Sequence, residues 1–322
     1  MLNISENIVL APFTTFKIGG QAKFFIKTAS LDDLFEAILW AKNKGEKIFV
    51  LGGGSNLLIS DSGFDGLVIQ IPFNGWRGAE NSGFEISDSV IYADAGVALS
   101  KILSAAVQAG LSGFEWAVGI PGTIGGAARG NSGAFGKGTG DFIETVEVFN
   151  AQTMKKKEYK KEDCLFGYRE SVFKKNKNLI ILKTIFKLEP KEKEKIQSLV
   201  KENLLSRAKN NSAYLGKSAG CFFKNIPWDK EGVNKEKLLA DFPELALQAE
   251  KPKLATGFLI DFLGLKGKEI GGASVPYEHA NYIINKNNAS AQDVLDLANL
   301  IKGKVFSRYG IILEEEAELV GF

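Results

Sequence analysis

Histidine and cysteine are nearly missing from this chain of 322 residues: there is one histidine, His279, and there are two cysteines, Cys164 and Cys221. Two cysteines cannot build a disulfide framework, and no Cys/His spacing matches a zinc site, so no metal centre is expected. No run approaches the ~18 apolar residues that a membrane-spanning helix needs. The N-terminus, Met1-Leu2-Asn3-Ile4-Ser5-Glu6, lacks the basic start and apolar stretch of a secretion signal. An excess of one charge sign is missing too. Lys plus Arg number 40 and Asp plus Glu 38, a net charge of +2, which argues against duplex nucleic acid as a partner. The expectation is a cytoplasmic protein without membrane or nucleic-acid contacts. The composition, 45% hydrophobic and 24% charged, is an ordinary globular balance, and the length suits two domains or three.

Glycine, by contrast, is plentiful and clustered. One cluster is Leu51-Gly52-Gly53-Gly54-Ser55-Asn56. The second, Gly119-Ile120-Pro121-Gly122-Thr123-Ile124-Gly125-Gly126, runs on in small residues to Gly136. Without a Cβ, such backbone can come within hydrogen-bonding distance of an anion. Two clusters in the first half of one chain point to a large phosphate-bearing cofactor held from two sides. Neither standard phosphate motif applies. The first cluster leads into Leu57-Leu58-Ile59 with no helix following, and the Walker lysine is missing. Taken singly, the first cluster could be a tight turn and the second a packing surface for a helix.

The first half alternates strands and helices. Residues 23–27 read as a strand, and 31–44 as an amphipathic helix with Ser30 as N-cap, Asp32 and Asp33 in its first turn and Gly45 as its stop. Residues 47–51, 67–71, 90–95, 145–150 and 179–188 read as strands, and 99–109 as a helix ended by Gly110. The charged stretch 155–162 reads as a solvated hairpin. Pro190 and the Lys/Glu run after it mark the expected domain boundary. Beyond it, 192–209, 256–263 and 290–308 read as helices, the last capped by Ser290 with Asp293, while 282–285 and 311–314 read as strands.

Several separated motifs, in order, carry a resemblance. They are Thr15-Phe16-Lys17-Ile18-Gly19-Gly20-Gln21-Ala22, the two glycine clusters, Phe166-Gly167-Tyr168-Arg169-Glu170-Ser171-Val172-Phe173, Ser218-Ala219-Gly220-Cys221-Phe222-Phe223-Lys224-Asn225, Gly257-Phe258-Leu259-Ile260-Asp261, His279-Ala280-Asn281 and Leu313-Glu314-Glu315-Glu316. Along nearly its whole length the chain resembles the MurB family of UDP-N-acetylenolpyruvoylglucosamine reductases. The resemblance implies an α+β chain. An FAD-binding fold of the vanillyl-alcohol oxidase (PCMH-type) kind would span 15–189, in two subdomains of about 1–72 and 73–189, and a separate α+β substrate domain would span 190–322. It implies FAD held by Gly52, Gly53, Gly54, Ser55, Asn56, Gly122, Thr123, Gly126, Asn131 and Ile181. It also implies NADPH as electron donor and UDP-N-acetylglucosamine enolpyruvate as substrate, in peptidoglycan synthesis.

In that family hydride passes from the flavin to the enolpyruvyl methylene carbon, and negative charge spreads onto the neighbouring carboxylate. The reaction needs donors or positive charge at the carboxylate and a proton donor for the adjacent carbon. Arg169 suits the first task, because a guanidinium grips a carboxylate bidentately and stays charged. Glu316 matches the family's catalytic glutamate, but Glu314, Glu315 and Glu316 are consecutive. Strand alternation puts Glu314 and Glu316 on one face and does not separate them. Cys221 stands where most of the family has serine. A thiol, ionising near about 8.5, can donate a proton as the hydroxyl would; its plain alternative is a small buried apolar residue. Tyr168, Lys209, Lys217, Asn225 and His279 are the remaining candidate substrate contacts, with Lys209 and Lys217 both eligible for the diphosphate.

Phe135 replaces a tyrosine common in the family, and Glu318 replaces an arginine. The short link from Arg207 to Cys221 lacks the tyrosine-bearing insertion of one subclass, which points to the other. Two competing expectations are another FAD-dependent oxidase or dehydrogenase of the same N-terminal fold, and a flavin-binding homologue that has lost catalysis.

Overall fold

A computed structural model describes residues 2–72, 83–209 and 216–322. The chain divides into two compact units. The first comprises Met1–Ile8, Ala22–Gly54 and Phe64–Lys209, and the second Val9–Gln21, Ser55–Gly63 and Asn210–Phe322.

The first unit is built on two sheets. One has the order Ser5–Val9, Gln21–Lys27, Phe64–Gln70, Ile48–Leu51. Its last three strands run parallel, with Phe25 opposite Val68 and Val50 opposite Ile69. The crossover between parallel strands is the helix Leu31–Lys44. Its ends are set locally. Ser30 Oγ accepts from Asp33 N–H at 3.0 Å, Asp33 returns the bond to Ser30 N–H at 3.1 Å, and Gly45 closes the helix with φ +69°. Leu34, Ala37, Ile38 and Ala41 face Ile26, Leu67 and Ile69 in a closed apolar layer.

The second sheet is antiparallel, in the order Lys155–Lys160, Ile143–Asn150, Leu179–Lys187, Val90–Asp94, Phe84–Ser87. The charged stretch is its edge strand, mostly solvated. Asn150 Oδ1 accepts from Gln152 and Thr153 N–H to make the turn into it. Phe114, Trp116, Phe173 and Phe186 fill the core beneath, with Phe114 and Phe186 edge to face at 5.0 Å.

The expected boundary at Pro190 moves to the end of the following helix. Lys193–Lys209 packs in the first unit, where Ile196 is 1% exposed and Asn203 Nδ2 donates to the Glu115 carbonyl at 3.1 Å. Proline and a charge run are local signals, and this helix is placed by contacts far away in sequence.

The second unit carries the sheet order Ser218–Cys221, Tyr282–Asn285, Ala273–Ser274, Glu269–Ile270. Against it lies the helix Ala291–Tyr309, whose start follows the capping expected, Ser290 pairing with Asp293, and whose end is closed by Gly310 with φ +69°. Residues 9–21 and 55–63 join this unit through main-chain bonds from Leu10 to Gly20, Gly20 to Ser60 and Ser60 to Val320, of 2.8, 2.8 and 2.9 Å. Leu57–Ile59 pairs in parallel with Glu318–Val320. The strand expected at 311–314 does not form. Side chains there do alternate, with Ile311 and Leu313 buried and Ile312 68% exposed, but the ladder partner begins only at Glu318. No helix among the described residues is long and apolar enough to cross a membrane.

Candidate active site

In the first unit the two glycine clusters meet. A Cβ placed on Gly52 would lie 2.8 Å from Thr123 Oγ1, so any side chain there would fill the space that the two segments leave. Thr123 is held for this approach as the N-cap of the helix Ile124–Gly130, accepting from Gly126 N–H at 3.4 Å. Glycine disfavours helix, so no local signal in this stretch points to one. Here the small residues serve contact: Gly125 N–H donates to the Ala95 carbonyl at 2.8 Å, and a Cβ on Gly125 would lie 2.8 Å from Ala95 Cβ. Ile181 lies in the core of this unit, paired with Val148.

Asn131 ends that helix with φ +42°. Its Nδ2 donates to the Gly167 carbonyl at 2.8 Å and its Oδ1 accepts from Gly140 N–H at 2.9 Å. The carboxamide thereby ties down a tight turn in which Gly167 and Glu170 exchange main-chain bonds of 3.0 and 3.2 Å. Tyr168 and Arg169 sit on this turn, Arg169 with φ +58°. Arg169 Nη2 donates to the Gly133 carbonyl at 3.0 Å, its guanidinium lies 5.5 Å from the Tyr168 ring centre, and Lys174 Nζ donates to the Arg169 carbonyl at 2.9 Å. Lys209, also in this unit, is exposed at the end of its helix.

In the second unit Cys221 and Glu316 come onto neighbouring segments. Glu316 N–H donates to the carbonyl of Phe222 at 2.8 Å, and Phe223 faces Glu315 in an isolated bridge. Both Cys221 and Glu316 are half-buried. Of the three consecutive glutamates, Glu314 and Glu315 have lysine partners. Glu314 lies 2.6 Å from Lys230 Nζ and 3.3 Å from Lys224 Nζ, and the hydrogen bond from Lys230 holds its carboxyl below the usual range. Glu315 pairs with Lys302. Asn56 closes on the same segment: its Nδ2 donates to the Glu316 carbonyl at 3.0 Å, and its own carbonyl accepts from Glu318 N–H at 2.9 Å.

Asn281 was not singled out from the sequence. It is 3% exposed and bonds the segment just after Cys221. The signal lay in the His279-Ala280-Asn281 motif, where histidine drew the attention. His279 Nδ1 accepts from Asn281 N–H at 3.3 Å and its ring lies 4.7 Å from that of Tyr282. Burial pushes its pKa down, which keeps the imidazole neutral near pH 7. Asn225 Oδ1 accepts from Thr256 N–H at 3.2 Å at the start of the helix Thr256–Phe262. Lys217 lines a hollow of about 280 Å³ with Lys17, Asp61, Asn285 and Asn288. The other cysteine, Cys164, is fully buried and donates to the Lys160 carbonyl, and burial pushes its pKa up to about 12. Among the described residues no group of His, Cys, Asp and Glu could hold a metal ion.

Comparison with known proteins follows the same division. The family described as FAD binding domain matches residues 22–153, a span that includes both glycine clusters. The family described as UDP-N-acetylenolpyruvoylglucosamine reductase, C-terminal domain, matches residues 210–320, beginning where the second unit's long segment begins. Among curated relatives, the UDP-N-acetylenolpyruvoylglucosamine reductase of Prochlorococcus marinus (strain NATL2A) is 35% identical over 100% of this chain and 99% of its own length. That of Caldicellulosiruptor bescii is 34% identical over 97% of this chain and 89% of its own length. The crystal structure of the reductase from Thermus caldophilus is 29% identical, covers 99% of this chain and 100% of its own, and superposes with a TM-score of 0.76. The chain belongs to the UDP-N-acetylenolpyruvoylglucosamine reductase (MurB) family.

Proposed function

We propose that this chain reduces UDP-N-acetylglucosamine enolpyruvate to UDP-N-acetylmuramate with electrons from NADPH, in the cytoplasmic stage of peptidoglycan synthesis. The observation that carries the reading is the seating of Cys221 and Glu316 on segments joined by the bond from Glu316 N–H to the Phe222 carbonyl. This pairs a proton donor with a carboxyl group in a chain whose first unit holds a glycine cradle.

The cradle fits FAD: Gly52, Gly53, Gly54 and Ser55 on one side and Gly122, Thr123 and Gly126 on the other would hold its diphosphate. Bound there, FAD would supply the two-electron chemistry that couples oxidation of NADPH to reduction of the substrate's double bond. Asn131 contributes by tying the helix after the second cluster to the turn that carries Arg169. A valine at Gly52 would displace Thr123 from its capping position. Flavin retention on purification should then drop roughly tenfold or more, read from the flavin absorbance per chain. A full flavin load in Gly52→Val would remove this segment from the cofactor site.

Arg169 grips the enolpyruvyl carboxylate, and its bond to the Gly133 carbonyl and stacking near Tyr168 restrict the guanidinium beforehand. Glu316 stabilises the charge that develops on that carboxylate. Cys221 gives its proton to the carbon beside it, completing reduction of the double bond, and the thiolate is re-protonated by water. Lys217 is favoured over Lys209 for the UDP diphosphate, because it lies within the span matched by the family's C-terminal domain.

Anaerobic half-reactions test the reading. The purified chain should be yellow, should bleach with NADPH, and should regain its colour when the enolpyruvyl substrate is added without oxygen. Flavin that bleaches but ignores this substrate would point to another oxidoreductase of the same fold. Flavin that NADPH does not reduce would point to a binding protein without catalysis.

A further inference from the structure

Cys221 ends the strand Ser218–Cys221, opposite Tyr282. The ladder is irregular between Ser218 and Cys221, and Gly220 carries φ +81°, a conformation that L side chains rarely adopt. Beyond Cys221 the chain leaves the sheet, so the regular ladder holds the cysteine only from its N-terminal side.

Asn281 takes the ladder's place on the other side. Its main-chain carbonyl accepts from Phe222 N–H at 2.7 Å. Its side-chain Oδ1 accepts from Phe223 N–H at 3.2 Å, while Nδ2 donates to the Phe223 carbonyl at 2.8 Å. The carboxamide pairs with Phe223 as a facing strand residue would, one donor and one acceptor side by side. Asn281 is 3% exposed, so water cannot stand in for either bond. On its other side the same segment meets the glutamates, through Phe222 with Glu316 and Phe223 with Glu315.

We propose that Asn281 is a positioning residue for the proton transfer: through Phe222 and Phe223 it sets Cys221 against Glu316 without touching the substrate. The inference rests on the reductase reading. Among candidate replacements, alanine offers neither bond. Aspartate keeps the acceptor, and donates to the Phe223 carbonyl only while it is protonated.

The test uses the flavin-loaded chain. In Asn281→Ala the flavin should bleach with NADPH at the wild-type rate. Its reoxidation by the enolpyruvyl substrate, per bound flavin, should slow by about 10²-fold with KM little changed, the loss that a small misplacement of a reacting group brings. In Asn281→Asp the reoxidation rate should recover on acidification, as the carboxyl regains a proton, and the wild type should show no such recovery. A merely structural role would lower the melting temperature and the flavin-loaded fraction, and would leave the rate per flavin unchanged. That outcome, or equal slowing of both half-reactions, overturns the proposal.

Iodoacetamide labelling gives a readout free of turnover. Cys164 is silent, being buried with its pKa pushed up to about 12, so labelling reports Cys221. The label should enter Asn281→Ala about tenfold faster than the wild type, because the segment opens more readily. If the alanine chain does not fold, Asn281→Asp carries both measurements. If wild-type flavin ignores the substrate, the reductase reading fails, and labelling alone decides the positioning role: an unchanged rate overturns it.

Discussion

Replacing Glu316 by alanine should lower the rate of substrate-dependent flavin reoxidation by about 10²–10³-fold, the loss typical of removing one preorganised stabilising group from a developing oxyanion. Flavin reduction by NADPH should stay at its wild-type rate, because the carboxyl acts only once the enolpyruvyl group is present. The two neighbouring glutamates are the controls. Glu314 and Glu315 are each committed to lysines, and Glu314 is about half exposed, so its ion pairs contribute ~0–1 kcal/mol to stability. Glu314→Ala and Glu315→Ala should therefore keep rates near the wild type, with at most a small drop in melting temperature. For Glu314 that drop should be present near neutral pH and vanish in acid. Its carboxyl titrates below the ordinary range when folded, so its stabilisation holds above the unfolded pKa and is lost as pH falls through the folded one. If Glu314→Ala were as damaging as Glu316→Ala, the assignment of the reacting carboxyl along this segment would be wrong.

That ambiguity shows where the sequence was legible. Helix ends were read well, because Ser30 with Asp33, Ser290 with Asp293, and Gly45 satisfy their bonds within a few residues. Residues 311–314 alternate as a strand would, with Ile311 and Leu313 buried and Ile312 exposed, yet form no strand. A strand needs a partner, and the one available pairs with Glu318–Val320. The helix Ile124–Gly130 was hidden by its own glycines, of which Gly125 meets Ala95, a residue no local pattern names. The domain boundary failed for a related reason. Residues 9–21 and 55–63 belong to the second unit through bonds to residues far along the chain, and the helix Lys193–Lys209 stays with the first through Ile196 and Asn203. Arg169, Cys221 and Glu316, the residues proposed for the chemistry, stand within sequence motifs. Asn281 and the second duty of Asn56, the bond to the Glu316 carbonyl, were not legible there, since each acts on main chain distant in sequence.

Cys221 gives the second large effect, and the one most particular to this chain. The carbon that must be protonated lies beside a carboxylate already carrying the charge released by hydride addition, so the donor has to be present when that charge forms. Cys221→Ala removes the donor and leaves water to find the site. Reoxidation should slow by about 10²–10⁴-fold, the range for loss of a positioned general acid. Cys221→Ser restores a donor of similar size on the same strand end and should keep the rate within about tenfold of the wild type. The two active forms should part with pH. A thiol gives up its proton at lower pH than a hydroxyl does, so an alkaline fall in the wild-type rate should be absent from the serine chain over the same pH range. Equal rates in cysteine, serine and alanine forms would take Cys221 out of the mechanism. A serine chain that fell with pH alongside the wild type would assign the titrating donor to another group.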